Sequence, residues 1–115
     1  MLSVNHIEAS ELASELGSDD ILLVDVRTEA ETRQGVIPGA RLLPLHLLPM
    51  HLDALRDSPA RVVIYCQSGA RSAQACSFLQ GQGMGEVLNL SGGIMAWVSG
   101  GHQVELPADD ASLVA

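Results

Sequence analysis

The stretch Val62–Ser72 reads "VVIYCQSGARS". An unbroken apolar, β-branched run leads into Cys66, then a short polar turn around Gly69, then Arg71 and a segment of helical character. Such a run suits a strand buried on both faces, the kind found inside parallel sheets. Beyond the turn, Ala75, Cys76 and Leu79 recur at helical spacing across Arg71–Gln82, and "GQGMG" closes the helix.

Other strands and helices can be placed outward from this unit. "ILLVDV" (Ile21–Val26) is a second continuous apolar run, read as a buried strand. "EVLNL" supplies a third strand, and "SGG" opens a short final helix around Met95, Ala96 and Trp97. Toward the N-terminus, Leu12 and Leu16 lie at i, i+4 with acids between them, which predicts a short amphipathic helix capped by Ser10 and stopped at Gly17. "GVIPGA" is a turn, a short strand is expected near Leu42, and one helix is expected over 45–57 despite Pro49. Strands alternating with helices define an α/β domain around a mainly parallel sheet. The polar segment from Gly101 onward is expected to be loose.

At 115 residues the chain has the size of one domain, and 47% hydrophobic residues suffice for its core. One Trp, one Tyr and one Phe leave that core aliphatic. The net charge of −8 argues against nucleic acid or an anionic membrane as a partner. All six basic residues are arginines, so no lysine is available for Schiff-base chemistry. No apolar run approaches the roughly 20 residues of a membrane span, and the N-terminus lacks the pattern of a signal peptide. Two cysteines ten positions apart make no disulfide framework, so free thiols in a reducing, cytoplasmic compartment are expected.

In open parallel sheets, ligands bind beyond the carboxyl ends of the strands. Cys66 and Asp25 both stand at such ends. Gly69 permits a tight loop whose N–H groups turn inward, the following helix aims its N-terminus at the same place, and Arg71 adds a fixed positive charge. Each effect lowers a thiol's pKa and favours a nucleophilic thiolate. The competing reading is a buried structural cysteine. The Gly, Ser and Arg that follow are of no use to a core but suit an anion pocket.

Four segments in register, "LLVDVRTEAE", "GVIPGA", "VVIYCQSGARS" and "VLNLSGGIMAW", resemble the rhodanese domain over roughly residues 7–101. The resemblance implies a three-layer α/β fold, a parallel sheet flanked by helices, with one domain over 1–101 and a tail over 102–115. It implies that Cys66 carries sulfane sulfur as a persulfide, with Arg71 as a catalytic partner. Gln67, Ser68, Gly69, Ala70 and Ser72 would form the active-site loop. The implied activity is transfer of sulfur from a donor such as thiosulfate to cyanide, a thiol or a protein acceptor. No cofactor or metal is called for beyond the covalent persulfide, and no nucleic acid or membrane partner. A relay or regulatory module with little small-molecule turnover is the alternative. Related phosphatases and arsenate reductases have five residues between Cys and Arg, whereas four stand here, a ring better matched to one sulfur than to a phosphoryl group.

Among the remaining residues, Arg27 and Glu31 are spaced i, i+4, which predicts a salt bridge fixing that segment. Asp25 is open between a structural tie to the loop and a catalytic one. Thr32 and Val36 stand where the family often has an aromatic and a histidine. Cys76 is expected to pack against the sheet, and His6, His46, His51 and His102 lack metal-ligand spacing and are expected at the surface.

Overall fold

A computed structural model describes residues 3–114. Five strands, β1 (Asn5–Ile7), β2 (Ile21–Asp25), β3 (Arg41–Leu42), β4 (Arg61–Tyr65) and β5 (Leu88–Leu90), form one sheet in the order β1-β5-β4-β2-β3. Every pairing is parallel. β4 is central and pairs with β2 from Ile21↔Arg61 to Asp25↔Tyr65.

The continuous apolar runs are explained by two cores. Along β4, side chains alternate between faces. Val62, Ile64 and Cys66 pack with Leu55, Ala75, Cys76 and Leu79 on one side. Val63 and Tyr65 pack with Ile7, Leu12, Ile94 and Trp97 on the other. The first layer is built by helices α3 (Leu52–Arg56) and α4 (Ala70–Gly81), the second by α1 (Ala9–Glu15) and α5 (Gly93–Ser99). No helix among the described residues is long and apolar enough to cross a membrane.

Three expectations change. The helix expected over 45–57 is a 3₁₀ turn, Leu45–Met50, followed by α3, with His51 in a non-helical conformation between them. Pro49 has no N–H to donate and disfavours α geometry before it, so the chain tightens instead of continuing. α1 begins at Ala9, with Glu8 at the cap position and no side-chain cap, rather than at Ser10.

The tail is not loose. Val36 and Glu105 exchange two backbone hydrogen bonds of 2.7 and 2.9 Å, and Leu42 donates to Ala111 and accepts from Leu113 at 2.9 Å each. Arg41 Nε also donates to the Ala111 carbonyl. The attachment runs through backbone groups, which is why a polar composition concealed it. β1 was not anticipated either, because Ile7 is its one buried residue and offers no periodicity.

Candidate active site

Cys66 follows β4 directly, on the face covered by α4, and is 1% exposed. The loop then turns through Gln67 and Ser68, both exposed, to Gly69, whose φ of 100° lies in the left-handed region. α4 starts at Ala70, and its first turn brings Ser72 back over the sulfur. Gly69 N–H lies 3.1 Å from Sγ, while the Ser72 N–H and Oγ lie at 3.4 Å.

A strap from α5 anchors the start of the loop. Ile94 N–H donates to the Cys66 carbonyl at 2.9 Å and Met95 N–H to the Gln67 carbonyl at 3.1 Å. With those carbonyls held, the planar peptide links fix the orientation of the Gln67 and Ser68 N–H groups at the start of the loop. Burial pushes the Cys66 thiol up, but hydrogen bonds from the Ser72 hydroxyl and from the Ser72, Gly69 and Ser68 N–H groups outweigh it, and the thiol titrates below its ordinary value. Cys76, buried in the same core without such donors, is pushed up to about 12. The donors around Cys66 and the deeper burial of Cys76 push the two thiols in opposite directions, and both are free.

The charged residues pair differently from the sequence expectation. Arg27 does not bind Glu31, because α2 (Glu29–Thr32) begins after Thr28 and Arg27 lies outside it, so i, i+4 spacing does not apply. Instead Arg27 Nη2 meets Asp25 Oδ2 at 2.8 Å, Nε reaches both carboxylate oxygens at 3.1 Å, and Nη2 donates to the Gly35 carbonyl at 2.7 Å. Asp25 therefore ties down the turn after β2, and among the described residues its carboxylate is hydrogen-bonded to Arg27 and not to the loop. Both residues are buried, and breaking such a pair leaves an uncompensated charge. An Asp25→Ala variant is expected to lose about 3–5 kcal/mol of stability in chemical denaturation.

Glu31 pairs with Arg71 instead, through two parallel bonds of 2.7 and 2.8 Å. It also closes a capping box with Thr28, accepting from the Thr28 N–H at 3.1 Å. The Arg71 guanidinium holds the Glu31 carboxyl at about 2. Arg71 thus stands at the site with its charge committed to a carboxylate, and the donors at the sulfur are N–H groups and the Ser72 hydroxyl. Thr32 and Val36 are buried, Thr32 donating to the Glu29 carbonyl and Val36 bridged to Glu105, so neither offers a rim contact.

One site residue was missed. Asn89, buried on β5, donates to the Gly69 carbonyl at 3.2 Å and accepts from Ser72 Oγ, and its Nδ2 stands 3.3 Å from Nδ1 of exposed His6. A lone amide inside "VLNLSGG" was the available signal, since a buried polar side chain must find partners. Ser72 carries a single hydroxyl proton, for which the Asn89 oxygen and the thiolate compete. Loss of the hydroxyl in Ser72→Ala removes one thiolate donor and leaves the backbone N–H. The pH profile of Cys66 alkylation should move upward by up to about one unit. An unchanged profile would mean that the backbone donors suffice.

Beside the loop lies a groove of about 450 Å³ lined by Arg27, Glu31, Gln67, Met95, Val98 and Val104, among others.

A cysteine in an N–H cradle at the carboxyl edge of a parallel sheet is a setting that favours a thiolate. The chain belongs to the rhodanese-like family, whose domain model matches residues 8–100. A protein named "Sulfurtransferase" from Allochromatium vinosum is 50% identical over 105 residues, covering 90% of this chain and 97% of that protein. A "Thiosulfate sulfurtransferase GlpE" from Pseudoalteromonas translucida is 28% identical over 84% of this chain and 90% of its own length. The crystal structure of a rhodanese-like domain protein from Staphylococcus aureus superposes with a TM-score of 0.76 at 33% identity, over 94% of this chain and 100% of that one.

Proposed function

We propose that the chain is a rhodanese-type sulfurtransferase that carries sulfane sulfur as a persulfide on Cys66. The observation that carries this reading is the sulfur's setting: Gly69 N–H at 3.1 Å and the Ser72 N–H and hydroxyl at 3.4 Å, enough to favour a buried thiolate. The sulfurtransferase names of the relatives point the same way.

In the first half-reaction the Cys66 thiolate attacks the outer sulfur of a donor such as thiosulfate. A new Sγ–S bond forms, and the donor's S–S bond breaks with its electron pair leaving on sulfite. The persulfide's terminal sulfur is an anion, and the inward N–H groups of the loop are suited to stabilise it. In the second half-reaction cyanide or a thiol, free or on a protein, takes that sulfur and restores the thiolate. A single covalent intermediate predicts ping-pong kinetics and needs neither metal nor cofactor. A reducing compartment such as the cytoplasm suits both free thiols.

The test is thiocyanate formation from thiosulfate and cyanide beside a Cys66→Ala control, with mass spectrometry of the donor-treated protein. A reducible gain of about 32 Da on Cys66, one sulfur, is expected. Phosphate release from an aryl phosphate with no thiocyanate formed would sink this reading in favour of phosphatase chemistry.

A further inference from the structure

We propose that Glu31 sets the donor selectivity of the site, committing the charge of Arg71 so that the cradle takes sulfur from weakly charged organic persulfides in preference to dianions. This deepens the sulfurtransferase reading and rests on it.

Two independent features lead here. The first is charge. The guanidiniums nearest the loop are both used: Arg27 is paired with buried Asp25, and Arg71 is held by both oxygens of Glu31. Each pair sums to zero, so the ionised thiol leaves the site with a formal charge of −1, in a chain of net charge −8. A thiosulfate dianion must bring two further negative charges to that thiolate with no uncommitted arginine to meet them. The second feature is the wall of the groove beside Gln67. Met95 and Val98 are 53% and 54% exposed there, with Val104 at 44%. Such a surface suits the organic group of a carrier R–S–SH better than a hydrated sulfonate.

Both donors balance chemically. From R–S–SH, the Cys66 thiolate forms the new S–S bond to the outer sulfur, the donor's S–S bond breaks, and the electron pair leaves on the inner sulfur as R–S⁻. The product is Cys66–S–SH, which then ionises. From thiosulfate the leaving group is sulfite, which carries two negative charges out past the Glu31–Arg71 pair. Neither transfer needs an external oxidant or reductant.

The experiment measures the rate of persulfide loading on the full chain by mass spectrometry, across concentrations of thiosulfate and of 2-hydroxyethyl persulfide generated in situ. Loading removes the need for any acceptor. The variant is Glu31→Gln, which keeps an oxygen for the Thr28 N–H, and glutamine at this position still supports a capping box. Its thermal unfolding is recorded alongside. With Arg71 released, the half-saturating thiosulfate concentration should fall roughly fivefold, the size expected of one unit charge a few ångströms away in a hydrated site. The gain should shrink as salt is raised. Half-saturation by the persulfide should fall by no more than about twofold, since it brings at most one negative charge to Arg71 where thiosulfate brings two. Glu29→Gln removes one charge from the same helix without touching the Arg71 pair, and should leave both donors unchanged.

A rise in the thiosulfate half-saturation of Glu31→Gln would overturn the proposal, because it would make Glu31 the residue that aims Arg71 at anions. Equal changes for the two donors would overturn it as well. Loading of wild type by neither donor would instead remove the sulfurtransferase reading beneath it.

Discussion

Exchange of Cys66 for serine should leave a folded protein whose sulfur transfer falls by on the order of 10⁴-fold or more, the scale seen when a covalent nucleophile is deleted. The reason is chemical before it is geometric. A serine hydroxyl stays protonated at neutral pH, and an oxygen nucleophile cannot form the S–S bond that the proposed transfer requires. The cradle itself survives the exchange, because the Gly69 and Ser72 N–H groups can donate to Oγ as they do to Sγ. The cost in stability should therefore stay near 1–2 kcal/mol, the loss of a well-packed sulfur partly offset by hydrogen bonding. Steady-state transfer rates beside a denaturation curve check both parts. Residual transfer above a few per cent of wild type would mean that another group carries the sulfur, and Cys76 is poorly suited to that, buried and held at about 12.

The second large effect belongs to a residue with no side chain. A Cβ on Gly93 would stand 2.5 Å from the carbonyl oxygens of both Cys66 and Gln67, and its φ of 61° is left-handed. Those two oxygens are the acceptors for Ile94 and Met95 N–H, so the methyl would sit inside the strap that holds the loop. Neither neighbour is the end of a flexible side chain, and the backbone itself must yield. The Gly93→Ala variant should lose about 3 kcal/mol or more of stability, from strained backbone together with two weakened hydrogen bonds. It should also move the pH profile of Cys66 alkylation upward, because a displaced Gln67 carbonyl turns the Ser68 N–H away from the sulfur. Loss of stability with an unaltered profile would show that α5 moves and the loop does not.

The strand–loop–helix unit around Cys66 was legible because each of its parts is local. An apolar run, a glycine that permits left-handed geometry and a helical period occur within twenty residues, and β2 declared itself in the same way. The charged partners were not legible for a physical reason. Glu31 and Arg71 are forty residues apart and meet only when α2 is folded against the loop, whereas the i, i+4 rule that linked Arg27 to Glu31 presupposes a helix that starts too late. Asn89 carried a readable hint as a polar residue within an apolar run, but its partners Gly69, Ser72 and His6 come from three other segments. Hydropathy also misjudged the C-terminal segment, since its attachments are made by peptide groups that every residue possesses.

That last segment matters for what counts as one transferable unit. The family match stops at residue 100, yet the groups that occupy the outer edge of β3 lie at residues 111–113. A strand with an open edge is a template on which another molecule can add its own strand. Shorn at the limit of the family match, the domain would retain the Cys66 loop and leave the backbone groups of Leu42 at that edge without their partners. A cut there would also remove Val104 from the groove wall and the Gln103 carbonyl that accepts from Trp97 Nε1.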